Sequence, residues 1–211
     1  MDAREPRRRG LFHRRWMDMS IAGAALFVSA VSLWVGIRTE EANEKLVVAS
    51  TWPFLQVVAS NATPEGKAIL SFSVVNEGVG PAKVESFEVF WKGRPYTSVL
   101  ELMKACCGYR KLGGPIHPGE MQSKLLTGSV QGIVLRAGES EAFVIYDLGQ
   151  DNLAVWNAMS DARAHLRYRL CYCSALDECW RTAIIGEAVT REQLHPQSVQ
   201  ACPVPKVAFT Q

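Results

Sequence analysis

The sequence predicts a mainly β protein: an antiparallel β-sandwich with one or two short helices, preceded by a single N-terminal transmembrane helix. Three observations carry that expectation. Residues 19–37 are uncharged, and fourteen of the nineteen are apolar. Beyond them, seven or so short segments alternate apolar and polar residues with period two. These segments show no regular alternation with helices, so a parallel sheet is not expected.

Composition supports the same class. Of 211 residues, 48% are hydrophobic and 21% charged, too apolar a mixture for intrinsic disorder. A mean hydropathy of +0.00 excludes several membrane spans. The formal charge of +2 lacks the basic excess of a nucleic-acid binder, so no nucleic-acid partner is expected.

The chain reads as five sections. Residues 1–18 hold six arginines against Asp2, Glu5 and Asp18, a basic cytoplasmic tail. Residues 19–37 form the span, since nineteen helical residues cover about 28 Å, close to the hydrocarbon thickness. The run is longer than a signal-peptide core, and Ile37-Arg38-Thr39-Glu40-Glu41 offers no small-residue cleavage site, so it reads as an uncleaved anchor. Residues 38–50 are a stalk, 51–190 the sandwich and 191–211 a C-terminal tail. Arginines before the span, against Arg38 and Lys45 mixed with glutamates after it, orient the N-terminus to the cytoplasm. The compact layout suggests a bacterial inner-membrane protein whose C-terminal domain is periplasmic.

Strands are expected at 52–60, 67–76 and 82–91, the second showing Leu70, Phe72 and Val74 on one face. Helical spacing over 97–107 follows, with Thr97 or Ser98 as cap. Residues 108–123, rich in Gly and Pro, read as a loop. Strands at 125–135 and 141–147, a helix over 151–162 with Leu153, Trp156 and Met159 inward, and a hairpin of 164–173 with 179–185 complete the domain. Short strands with one or two helical connections and no βαβ alternation point to the immunoglobulin-like type of sandwich, with a small antiparallel barrel as the alternative.

Six cysteines, Cys106, Cys107, Cys171, Cys173, Cys179 and Cys202, all lie beyond the span, and an even count there reads as disulfides. Cys173 and Cys179 flank a five-residue hairpin loop and are expected to face each other. Cys106 or Cys107 is then expected to pair with Cys171 or Cys202, although sequence alone allows other connectivities.

Period two places Leu166, Tyr168, Leu170 and Tyr172 toward the core. It leaves Arg163, His165, Arg167 and Arg169 as an outward basic column, a candidate site for an anionic partner. Ala22, Ala25, Ser29, Ser32 and Gly36 recur at helical spacing along the anchor and form a candidate helix interface, because small residues let helices approach closely in lipid. The expected partners are the bilayer and a protein, met through the anchor or the exported domain, or a second copy of the chain. No cofactor and no catalytic residue are expected. Nucleophile elbows, P-loops, dinucleotide fingerprints and histidine zinc spacings are missing from the sequence. Asp177-Glu178 reads as a solvated turn.

Cys171-Tyr172-Cys173 supports a second reading, since paired thiolates select soft metals. In layout the chain is similar to the copper-delivery chaperones of cytochrome oxidase assembly, with one N-terminal span, an exported immunoglobulin-like domain and a Cys-x-Cys. The similarity covers those three residues and the topology; the motifs that surround them in that family are not present. It implies a thiol- or copper-handling alternative using Cys171 and Cys173. The primary expectation is a non-enzymatic binding or scaffolding protein.

Overall fold

A computed structural model describes residues 8–109, 125–185 and 195–209. The chain divides into two compact units, Met1–Ala49 and Ser50–Gln211. The first is carried by one helix, α1 (Arg8–Ser50), so residues 8–18 of the expected tail, the span and the stalk form one uninterrupted helix of 43 residues. Residues 15–50 of it are long and apolar enough to cross a membrane, with a mean hydropathy of 2.0 in the most apolar window. The hydroxyls of Ser20, Ser29 and Thr39 each donate to the carbonyl four residues back, so the helix supplies their partners internally. Trp16 and Trp34 are exposed and stand about 27 Å apart along the axis, the separation of two interfacial aromatic belts. The Arg38 guanidinium lies 5.8 Å from the Trp34 ring centre.

The second unit is built from two antiparallel sheets. One has the order β1 (Leu55–Ala62), β2 (Ala68–Asn76), β7 (Ser140–Asp147) and β5 (Leu125–Thr127). The other runs β10 (Gln197–Val199), β9 (Cys179–Ile185), β8 (Arg167–Cys173), β3 (Ala82–Trp91) and β4 (Arg94–Tyr96), with β6 (Val134–Leu135) also paired to β3. Helices α2 (Val99–Cys107) and α3 (Leu153–Ala162) pack on each other.

Alternation decides which side chains join the sheets. Leu70, Phe72 and Val74 of β2 are buried as period two requires, and so are Tyr168, Leu170 and Tyr172 of β8. Phe143 of β7 meets Phe87 of β3 edge-on at 5.0 Å between ring centres. Phe72, Tyr168 and Phe209 surround that pair at 5.7–6.2 Å. Burial keeps the Tyr168 and Tyr172 hydroxyls neutral, that of Tyr172 pushed up to about 12.

One buried polar side chain organises the entry to this domain. Asn76 is fully buried, and its Oδ1 accepts from the backbone N–H groups of Phe54 and Gly78. Its Nδ2 donates to the carbonyls of Gly80 (2.8 Å) and Leu135 (3.1 Å). The turn after Asn76 grips residues 51–54, with Val79 and Gly80 N–H both donating to the Trp52 carbonyl. A Cβ on Gly80 would overlap the Thr51 backbone, so only glycine permits the approach.

Several elements differ from expectation. Between the expected third strand and the expected helix lies a further strand: Lys92 and Gly93, at φ 47° and 78°, make a two-residue hairpin turn, and Arg94–Tyr96 returns against β3. The segment 125–135 is not one strand. Leu125–Thr127 pairs with β7, whereas Val134–Leu135 pairs with β3 in the other sheet. Local alternation does not report which sheet a residue joins. Helix α3 buries Met159 and half-buries Trp156, but Leu153 is exposed. Asn152 at its start makes no side-chain cap bond; it ties Gly149 N–H to the Asp147 carbonyl instead. Ser98 caps α2 as expected, accepting from the Glu101 N–H. The loop expected at 108–123 lies almost wholly outside the described residues. The C-terminal segment adds β10 to the sheet edge and places Phe209 in the core, its N–H donating to the Phe87 carbonyl at 3.0 Å.

Two measurements check these assignments. Asn76→Ala should lower the unfolding free energy of the detergent-solubilised chain by about 2–4 kcal/mol in urea titration, because it orphans several buried backbone groups. Asn76→Asp should cost at least as much, since a carboxylate would face the Gly80 and Leu135 carbonyls. Stability should also fall as the pH rises above about 10. The unfolded tyrosines ionise there while Tyr168 and Tyr172 stay protonated in the fold, so the native state binds more protons. Tyrosinate absorbance from these two rings should appear only with unfolding.

Candidate functional site

The inner faces of both sheets are committed to the core, so the chemistry gathers on the outer face of the second sheet. Strand β8 presents Arg167, Arg169, Cys171 and Cys173 there. Pairing with β9 sets Cys171 opposite Arg181 and Cys173 opposite Cys179, and pairing with β3 sets Glu88 opposite Arg169. Strand β10 adds Gln197 beside Arg181.

The cysteines on this face form two adjacent disulfides. Cys173 bridges Cys179 across the hairpin, Cα atoms 4.0 Å apart, as the spacing suggests. Cys171 bridges Cys202, Cα atoms 5.6 Å apart, and ties the C-terminal segment to the sheet. Cys173 Sγ lies 3.9 Å from Cys202 Sγ, so the two bridges are neighbours. Cys106 pairs with Cys107 rather than with Cys171 or Cys202. Both of its sulfurs lie against the Met159 thioether, at 3.8 and 3.6 Å.

This pairing bears directly on the soft-metal reading. The sulfurs of Cys173, Cys179 and Cys202 lie within 4.8 Å of one another, a spacing compatible with a shared metal ion. All are disulfide-bonded here, as is Cys171, and a thiolate site would need both bridges reduced.

The basic column is only partly assembled. Arg167 and Arg169 share the outer face, both exposed. Arg163 and His165 do not belong to it, because residues Arg163–His165 form a 3₁₀ turn extending α3. His165 instead stands 6.2 Å from the Trp91 ring. Arg169 Nη1 donates to Glu88 Oε2 at 3.1 Å, and its guanidinium lies 5.0 Å from the Phe90 ring centre. Arg181 Nη2 donates to Gln197 Oε1 at 2.9 Å. Arg181, which continues the Cys179 alternation along β9, was legible from the same period that placed Arg169. His195 and Gln197 carry no sequence signal of their own. Asp177 occupies a left-handed turn position (φ 58°) between Ser174 and Cys179, in keeping with a turn role.

On the helix, Ala22, Ala25, Ser29, Ser32 and Gly36 are all exposed, and nothing lies within 4 Å of a Cβ placed on Gly36. The chain matches no protein-family model, and no curated protein matches its sequence.

Replacing Cys171 and Cys202 by Ser opens a bridge between positions 31 residues apart. The loss should cost about 3–4 kcal/mol by chain entropy, read as a lower urea midpoint. Trypsin should then cleave after Lys206 faster than in the parent protein.

Proposed function

We propose that this protein is a single-pass, membrane-anchored, non-enzymatic binding or scaffolding protein that presents a disulfide-stabilised domain outside the membrane, as part of a bacterial cell envelope. The observation that carries this reading is the pairing of all six cysteines within the unit that follows the apolar helix. Persistent disulfides belong to oxidising compartments, and the arginine-rich start belongs on the cytoplasmic side. The two criteria favour one orientation independently.

The domain is of immunoglobulin-like type on this reading. Its strand order supports the assignment: β1-β2-β7-β5 and β9-β8-β3-β4 follow the A-B-E-D and G-F-C-C′ order of that sandwich. The outer faces and end loops of such a sandwich are the parts left available for binding. With every thiol paired and no nucleophile–base motif in the sequence, binding is the function the outer face supports best. The anchor's small-residue seam offers a second contact, to a partner helix or to another copy.

Alkaline phosphatase fused after Gln211 should be active in a bacterial host, and fused before Met1 inactive. The reverse pattern would overturn the orientation. Ala25→Leu with Ser29→Leu should reduce helix association about tenfold in a membrane two-hybrid assay, and unchanged association would remove the seam.

A second reading, thiol or copper handling, is favoured by one observation: the close approach of Cys173 to Cys202 brings two disulfides together. Thiol counting by mass spectrometry on the unreduced full chain separates the two. Six bonded cysteines support the binding reading; free Cys171 and Cys173 with copper bound would replace it.

A further inference from the structure

The outer face of the second sheet holds an open groove of about 570 Å³. Arg169, Arg181, Thr182, Ala183, His195 and Gln197 line it, and no acidic side chain is among these described residues. Its shape follows from sheet register. Arg169 pairs with Ala183, and Arg181 lies two residues before Ala183 on the same face. The methyl side chain of Ala183 therefore makes a low floor between two long cationic side chains. Diagonal neighbours of this kind stand about 7–8 Å apart at the backbone, within reach of a common small ligand. His195 and Gln197 close the side beyond β9.

Each guanidinium has its own neighbour on one flank of the groove, Arg169 on β3 and Arg181 on β10. Arg169 meets the buried Glu88 carboxylate and the face of Phe90. Arg181 meets Gln197. A guanidinium has five N–H donors in a rigid fork, so a single such bond leaves most of each fork available. Glu88 offsets one of the two charges, and it does so from β3, outside the groove. The groove is thus solvent-accessible and flanked by two cationic side chains, one leaning toward β3 and one toward β10, and a ligand between them would draw both forks inward.

We infer that this groove is a phosphate-binding site, in which Arg169 and Arg181 take different edges of one phosphate group and His195 faces its remaining oxygen. Phosphate fits better than carboxylate on geometry and charge. A carboxylate has two oxygens and one charge, which a single fork satisfies; a phosphate offers three terminal oxygens and up to two charges, matching two forks on adjacent strands. The phosphate belongs either to a soluble ion or monoester or to a lipid headgroup, and the recognising chemistry is the same. The inference rests on reading the protein as a binding module, and it does not depend on which side of the membrane the domain occupies.

Calorimetry on the full chain in neutral detergent tests it, with inorganic phosphate as the probe. Saturable binding with Kd of about 1 mM or tighter is expected, weakened about tenfold by Arg181→Gln and by Arg169→Lys. The lysine keeps a charge beside Glu88, so the fold should survive, and thermal unfolding verifies this. Arg136→Gln, an exposed arginine in the turn before β7 and outside the groove, should leave binding unchanged. Acetate should bind about tenfold more weakly than phosphate. Dihexanoyl phosphatidic acid distinguishes the sources: about tenfold tighter binding than inorganic phosphate assigns a lipid headgroup, and equal binding assigns a soluble phosphate. No saturation by about 10 mM phosphate, wild-type affinity in both arginine variants, or acetate equal to phosphate would overturn the site. None of these outcomes alters the phosphatase-fusion result, so the two proposals fail separately.

Discussion

The contact between Phe143 and Phe87 is the constraint on which the domain depends. Each ring comes from a different sheet, and their edge-to-face approach sets the sheets together over a shared apolar layer. Once those inner faces are committed, period two leaves only the outer faces for polar chemistry. Phe209 then binds the end of the chain to the same cluster, through its ring and through its N–H to the Phe87 carbonyl. The C-terminal segment is consequently held at two points, at Cys202 on the outer face and at Phe209 in the core.

Asn76 does by hydrogen bonding what the aromatic cluster does by packing. Its four side-chain bonds reach backbone groups before β1, in the turn after β2 and in β6, segments that no ladder joins directly. A buried amide whose donors and acceptors are all used specifies one arrangement, because any other would leave a polar group dry and unpaired. The glycines at 78 and 80 are the steric counterpart, allowing the turn to close on residues 51–54.

Much of this was legible in the sequence, for a physical reason that also sets its limit. Period two reports which side chains of a strand point inward, and it correctly separated Tyr168, Leu170 and Tyr172 from Arg167 and Arg169. Period two is silent about partners. The residues 125–135 alternate acceptably across a stretch that leaves one sheet and joins the other. Arg163 and His165 fit the alternation of β8 although the backbone there is still helical. The hairpin bridge between Cys173 and Cys179 was visible because its loop is short and local; the bridge from Cys171 to Cys202 depends on the return of a distant segment. Arg181 belongs with the first kind of information, His195 and Gln197 with the second.

The groove and the two disulfides occupy one face because both need side chains excluded from the core. Cys171 stands opposite Arg181 in the ladder, so the bridge to Cys202 sits beside one of the cationic walls. Pro203–Val207, running on from that bridge, line the adjoining depression with Arg169 and Arg181. The bridge therefore fixes a neighbouring wall as well as the end of the chain. A wall fixed in this way spares part of the ordering cost of binding. An oxidising compartment would then do more than preserve the fold: it would hold the outer face in a conformation ready to receive an anion.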